Sequence, residues 1–174
     1  MHRIGRPADP EVFPRFKRYI EHVEGDDLMA SLDDALQRLV RSAEAVVQQH
    51  EEYRYALGKW SIKEVFQHLN DTERILAYRA LRFSRNDATE LPGFEEDEYV
   101  THASTERRSL HDLVEEHRCI RQSTVLLFRS FSPGMLDRVG TASERAISVR
   151  ALGWAIAGHA LHHLHILEER YQRP

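Results

Sequence analysis

Apolar and polar residues alternate with the period of an α-helix over four long segments of the chain. Apolar side chains recur at the three- and four-residue spacing of one helical face along residues 26–50, 61–84, 109–131 and 148–171. No proline occurs between Pro14 and Pro92, which suits long helices in the first two segments. Since no stretch gives a convincing strand pattern, the sequence predicts an all-α fold, a four-helix bundle.

The start of the second helix and the long connection after it are the clearest boundaries. Ser61 and Glu64 stand three residues apart before an apolar run, which is the spacing of a capping box. Residues 86–108 form a connection long enough to cross over the bundle instead of making a tight hairpin. Residues 1–25 are predicted to form an irregular N-terminal arm, with a short helix around residues 11–21. The bundle domain is then predicted to occupy residues 26–174.

Length, charge and cysteine content narrow the class of protein. A chain of 174 residues can form one domain with a full hydrophobic core. Its net charge of −4 provides no bulk field that would attract nucleic acid or an anionic membrane. The single cysteine, Cys119, cannot form an intrachain disulfide. A single cysteine is typical of a protein in a reducing compartment, and no apolar run approaches about 18 residues, the length of a membrane span. We therefore expect a cytoplasmic protein that binds neither nucleic acid nor membrane.

Two of the eleven histidines lie on the apolar face of the fourth helix. At about 100° per residue, His159 and His163 share that face with Leu152, Ile156 and Ile166. They are four residues apart, so that their side chains are about one turn from each other. This spacing allows two imidazoles to bind one metal ion. The alternative is a pair of core histidines that hydrogen bond to side chains or water, and the pair alone does not decide between the two.

A third metal ligand would have to come from another helix. His68, at the flank of the second helix's apolar face, is the better candidate, and His117 in the third helix is the second. His162 and His165 are predicted to lie at the edge or on the outer face of the fourth helix. Asp71, about one turn after His68, could accept a hydrogen bond from a ligating imidazole or be an ordinary surface charge.

Three stretches of the chain carry a resemblance to a known family. They are residues 59–74 (KWSIKEVFQHLNDTER), residues 91–97 (LPGFEED), and residues 148–152 (SVRAL) continuing to 158–164 (GHALHHL). In this order and at these separations they resemble the DinB-like family of damage-inducible proteins, over residues 25–172. The resemblance implies a four-helix bundle with a long crossover connection.

The same resemblance implies a site and an activity. It implies a metal site formed by His68, His159 and His163, in which zinc or nickel is common, and a homodimer. Characterised relatives transfer low-molecular-weight thiols such as bacillithiol or mycothiol, or isomerise maleylpyruvate with a thiol cofactor. Many others are known only as metal-dependent hydrolases. The expected function is therefore a metal-dependent thiol S-transferase acting on a small molecule.

Three neutral histidines would leave at least one coordination position open, which is typical of catalytic sites. A thiol bound there would be delivered as thiolate. The alternatives are a hydrolase that uses a metal-bound water and a non-catalytic bundle in which the ion only holds the helices together.

We expect Trp60 and Trp154, near helix starts, to have packing roles and not to stack on substrate.

Overall fold

The computed structural model describes residues 3–8, 12–46 and 48–171, and its long helices follow the apolar pattern. The helices are α1 (Pro14–Glu21), α2 (Leu28–Glu44), α3 (Ile62–Ser84), α4 (Glu96–His102), α5 (Leu110–Arg129), α6 (Pro133–Leu136) and α7 (Val149–Arg170). The strands are β1 (Val139–Ala142) and β2 (Arg145–Ser148). The predicted four-helix bundle is confirmed. Parts of three predicted segments lie outside the described residues: residues 1–2 and 9–11 of the arm, residue 47 of the first helix, and residues 172–174 at the end of the domain.

Helices α2, α3, α5 and α7 form the bundle. Both α2 and α3 pack against α7, and both also contact α5. Consecutive helices α2 and α3 therefore lie diagonally across the bundle, with α7 and α5 between them. The core contains side chains from all four helices, among them Leu32, Phe66, Leu113 and Leu152.

Helix α7 is buried on every side over its first half. All residues from 151 to 161 are buried, because α1, α2 and α3 all pack against this helix. The prediction of one apolar face opposite a polar face is therefore wrong for this half of α7, since a helix surrounded by others is apolar all round. Even so, none of the described helices combines the length and apolar character needed to cross a membrane.

The capping box predicted at the start of α3 is present. Ser61 Oγ accepts a hydrogen bond from the backbone N–H of Glu64 at 3.2 Å, and the Glu64 carboxylate accepts one from the N–H of Ser61 at 2.7 Å. This reciprocal pair satisfies two donors at the helix terminus. It fixes where α3 begins and hence which of its residues face α7.

The described part of the N-terminal arm carries a short helix, as the sequence predicts, and packs against the bundle. Its helix α1 begins at Pro14 and packs along α7, while Ile4 and Ile20 enter the core. The two helices approach so closely that a Cβ on Gly158 would lie 2.2 Å from the carbonyl oxygen of Tyr19. Gly158 thus provides the space in which α1 docks.

Replacing Gly158 with alanine is expected to destabilise the protein. Alanine would ordinarily stabilise a helix interior by about 1 kcal/mol relative to glycine, but the added methyl group meets backbone atoms of Tyr19. Overpacking of this kind costs about 1–3 kcal/mol, so urea unfolding should show a net loss. Gly134→Ala is the matched control, since no atom lies within 4 Å of its added Cβ. Equal stability of the two variants would contradict the docking role of Gly158.

A two-stranded antiparallel hairpin precedes α7, and the prediction of a fold without strands is wrong at this point. Ser143 and Glu144 form its turn with φ values of 52° and 61°, as in the tight turns that suit twisted hairpins. Leu91 from the crossover connection joins the hairpin through its N–H to Thr141 O and through its carbonyl, which accepts from Ser143 N, both at 3.0 Å. The hairpin therefore anchors the connection.

The crossover connection is itself ordered by short helical segments. It contains α4 and a 3₁₀ turn at Thr105–Arg107. Buried Arg79 of α3 donates to Pro92 O at 2.8 Å and to Ser143 Oγ at 3.2 Å. The connection is thus held against α3 and is not a structureless loop.

Candidate metal centre

Three buried imidazoles meet between α3 and α7. His68 comes from α3, and His159 and His163 come from α7 one turn apart. Each offers a ring nitrogen within 4.8 Å of the other two, and His68 Nε2 lies 3.0 Å from His159 Nε2. Over the described part of the chain, no thiol or carboxylate belongs to this group. We refer to His68, His159 and His163 as the histidine triad.

One ring nitrogen of His68 lies near a hydroxyl and the other lies near His159. Thr72 Oγ1, one turn later on α3, lies 3.5 Å from His68 Nδ1. If Nδ1 carries the proton and shares it with this hydroxyl, the lone pair of Nε2 points at His159 Nε2. Two lone pairs repel at 3.0 Å, so the arrangement requires either a proton on His159 Nε2 or a cation among the nitrogens. The donor set thus fits a divalent metal ion bound by imidazoles.

The protonation state of His163 also suits metal binding. Burial lowers the pKa of His163 well below its ordinary value of 6.5, and the neighbouring His68 and His162 lower it further. A buried imidazole with such neighbours resists taking up a positive charge. His163 is therefore neutral near pH 7, which is the form that can donate a lone pair to a metal.

Two aromatic side chains border the triad. The Trp60 ring lies 4.6 Å from that of His68 and stacks on His163 at 6.3 Å, with an interplanar angle of 24°. The Tyr19 ring of α1 lies 5.2 Å from His159. Tyr19 was not predicted, because its approach depends on how the arm docks.

The two tryptophans have different surroundings. Trp154 is fully buried and its Nε1 donates to Gly5 O at 2.8 Å, so the predicted packing role is confirmed for it. Trp60 also packs, but it does so on His68 and His163. That no substrate stacks on Trp60 stays a prediction.

The second candidate for a third ligand, His117, lies elsewhere. Its Nδ1 is 2.9 Å from Asn70 Oδ1, in the buried layer between α3 and α5. Its Nε2 has no hydrogen-bond partner among the described residues and lies 3.7 Å from Glu73 Oε2. His117 therefore belongs to a polar cluster of the core and not to the triad.

The remaining sequence candidates, Asp71, His162 and His165, do not belong to the triad. Asp71 accepts a hydrogen bond from Gln67 Nε2 at 3.0 Å; burial raises the pKa of Asp71 while this bond opposes the rise. A role for Asp71 toward His68 stays a prediction, and Thr72 is the partner that sequence reasoning missed. His165 is exposed and His162 half-buried, as their positions on the helix predicted.

A cavity of about 550 Å³ lies between α2, α3 and the end of α7. Phe66 lines it two residues before His68, and Leu167 lines it one turn after His163. The charged residues in its lining are Arg38 and Arg41 of α2 and Glu168 of α7. None of the residues that line this cavity belongs to the triad.

Sequence comparison gives one family. The sequence model of the DinB superfamily matches residues 31–167. No curated protein matches the chain significantly.

Solved structures share the fold at low sequence identity. YfiT from Bacillus subtilis, described as a probable metal-dependent hydrolase with an unusual four-helix bundle topology, superimposes with a TM-score of 0.75 at 14% identity, covering 97% of this chain and 92% of YfiT. A mycothiol-dependent maleylpyruvate isomerase gives 0.66 at 13% identity, over 79% of this chain and 57% of the isomerase. The DinB-like protein YjoA from Bacillus subtilis gives 0.58 at 18% identity, over 84% of this chain and 92% of YjoA.

Proposed function

Because the chain belongs to the DinB superfamily, we propose that it is a metal-dependent enzyme whose divalent ion is bound by His68, His159 and His163. The observation that carries this proposal is the set of three buried ring nitrogens within 4.8 Å of one another. Imidazole nitrogen suits zinc and nickel, which are the ions proposed here. Thr72 would hold the ring of His68 in orientation, and Trp60 and Tyr19 would wall off the site from water.

The proposed reaction is transfer of a low-molecular-weight thiol to an electrophilic small molecule. A divalent ion, when bound, lowers the pKa of a thiol or water that it contacts and so supplies a nucleophile at neutral pH. A free thiol loses its proton near pH 8.5, whereas water does so only at about 15.7. No carboxylate belongs to the triad in the described residues, and the more acidic nucleophile needs less help from a general base. The shared fold of a mycothiol-dependent enzyme supports the same choice.

Hydrolysis is the second candidate function. It is favoured by the likeness to YfiT, a probable metal-dependent hydrolase, which extends over 97% of this chain. The two reactions differ in whether a thiol is consumed. They can therefore be separated by one set of assays.

The test begins with protein purified without a nickel column. Elemental analysis should find about one zinc or nickel ion per chain, and a panel of thiols with electrophiles should show metal-dependent loss of free thiol. Chelation should abolish the reaction, and re-addition of the ion should restore it. Ester or amide cleavage that needs no thiol would identify a hydrolase instead. Protein that binds neither ion would refute the metal-dependent function.

The affinity for metal is expected to decrease as the pH falls, and His163 should remain a metal ligand to a lower pH than an ordinary histidine would. Protons compete with the ion for imidazole lone pairs, and a free imidazole begins to lose this competition below about pH 6.5. Because the pKa of His163 lies well below that value, His163 should keep its lone pair to a lower pH. Chelator competition for zinc, measured from pH 8 to pH 4.5, should show affinity retained to about pH 6.5 and then falling. Loss that begins above pH 7 would contradict this.

A homodimer formed through helix faces is the expected assembly, on the basis of the family resemblance. Multi-angle light scattering at micromolar concentration should therefore give twice the mass of the 20.3 kDa chain. The mass of a single chain under these conditions would contradict the prediction.

A further inference from the structure

A buried guanidinium without an acidic partner lies where the crossover connection meets the hairpin. Arg79 of α3 is only 5% exposed. One of its terminal nitrogens donates to Pro92 O at 2.8 Å and to Ser143 Oγ at 3.2 Å, and both of these acceptors are uncharged. Arg79 forms no ion pair with a carboxylate of the described residues. Arginine is rarely buried so deeply unless it is paired with an anion.

The electrostatic cost of burying Arg79 is not offset within the described part of the chain. Burial lowers the pKa of Arg79, and no neighbouring charge opposes this effect. Arg121 is buried to a similar extent, but it is bound by both carboxylate oxygens of Glu73. Because a buried cation is stable only when a counter-charge or hydrogen bonds compensate for its lost hydration, Arg79 has the properties of a residue that takes an anion from solution.

The guanidinium and the loops around it offer several hydrogen-bond donors to such an anion. Nε and the other terminal nitrogen of Arg79 make no hydrogen bond to the described residues. Neither is among the described buried atoms that lack a partner, so both have contact with solvent. The Ser143 hydroxyl, which accepts from Arg79, can still donate its own proton. Ser143 and Gly93 are exposed, and a Cβ on Gly93 would lie 3.2 Å from Ser143 Oγ, so glycine keeps the space beside this hydroxyl open.

We propose that Arg79, Ser143 and the space beside Gly93 form a binding site for a small oxyanion, which is either inorganic phosphate or the phosphate or carboxylate group of a small molecule. A guanidinium suits these groups because it makes charge-assisted hydrogen bonds to their oxygens. The anion neutralises Arg79 and links the crossover connection to the hairpin. His68 and Arg79 are both on α3, about 16 Å apart along the helix axis, so the proposal does not depend on whether the triad binds metal.

The test is calorimetric titration with inorganic phosphate at constant ionic strength. Wild type should bind phosphate, and Arg79→Met should not. Arg82→Met is the matched control, because Arg82 of α3 already pairs with Asp87, and this variant should bind phosphate as wild type does. Ser143→Ala, a change at an exposed position, should weaken binding about tenfold, as expected for the loss of a hydrogen bond to a charged group. Ser143→Ala decides the question if Arg79→Met fails to fold.

Two further measurements identify the place and the nature of the anion. The nuclear magnetic resonance signal of the Arg79 Nε–H group should shift when phosphate is added, and that of Arg82 should not. Methyl phosphate that binds as tightly as phosphate would support a site for the anionic group of an organic molecule, and binding of phosphate alone would support a site for the inorganic ion. Absence of binding by wild type, an Arg79 signal that does not shift, or binding that Ser143→Ala leaves unchanged would overturn the proposal. Binding that is lost with the metal in His163→Ala would place the phosphate at the triad and would overturn it as well.

Discussion

Replacing Arg121 with alanine is expected to lower the free energy of unfolding by about 3–5 kcal/mol, since it leaves a buried carboxylate without its partner. Arg121 of α5 donates from Nε and from one terminal nitrogen to Glu73 of α3, at 2.9 and 2.8 Å. Its other terminal nitrogen donates to Leu32 O of α2. One guanidinium thus joins three helices of the bundle, and both charged side chains are at most 3% exposed.

The protonation states of this cluster explain the size of the effect. Burial by itself raises the pKa of Glu73, but Arg121 outweighs it and holds that pKa below its ordinary value. Burial lowers the pKa of the adjacent His117 to about 4, so His117 is neutral near pH 7 and cannot take over the role of Arg121. Without the guanidinium, Glu73 must either stay charged in the core or take up a proton.

Two comparisons make this prediction specific. Arg38→Ala removes an exposed partner of Asp34, 3.8 Å away on α2, and should change stability by less than about 1 kcal/mol. Adding Glu73→Gln to Arg121→Ala should recover part of the loss, because the unpaired charge is removed. Urea unfolding of the three variants provides the measurement. A loss for Arg121→Ala no larger than that for Arg38→Ala would contradict the importance of the buried pair.

Local features of this fold could be predicted from sequence because each depends on residues a few positions apart. The capping box of Ser61 and Glu64 spans three residues, and the approach of His159 to His163 spans one helical turn. The hairpin was missed because Ser143 and Glu144 adopt positive φ without the Asn-Gly or Asp-Gly signal that usually marks such turns.

The apolar periodicity of the sequence cannot predict contacts between elements that are far apart along the chain. His68 and His117 are both buried histidines on bundle helices, and apolar patterning alone ranked them without deciding between them. Which one meets α7 depends on the diagonal placement of α2 and α3, which no local pattern specifies. Tyr19 reaches the triad only because Gly158 lets α1 approach α7. The family resemblance selected His68, and the packing of α3 on α7 gives the physical reason.

The largest functional effect is expected from His163→Ala. This change removes one of three nitrogens that converge within 4.8 Å, and the remaining two should not retain zinc or nickel during gel filtration in metal-free buffer with a weak chelator. Metal content should fall from about one ion per chain to near zero, and any catalysis should be lost with it. Circular dichroism should still show a helical protein, because α7 is held by buried apolar side chains such as Leu152 and Leu164.

The decisive control is His165→Ala, two residues further along the same helix. His165 is exposed and pairs with Glu169 at 3.1 Å, on the side of α7 that faces away from His68. Because His165 does not belong to the triad, this variant should keep the bound ion of wild type. The two variants, each a histidine-to-alanine change on α7, should then differ in metal content by one ion per chain. Equal loss in both, or loss in neither, would mean that the choice of residues by helical face is wrong.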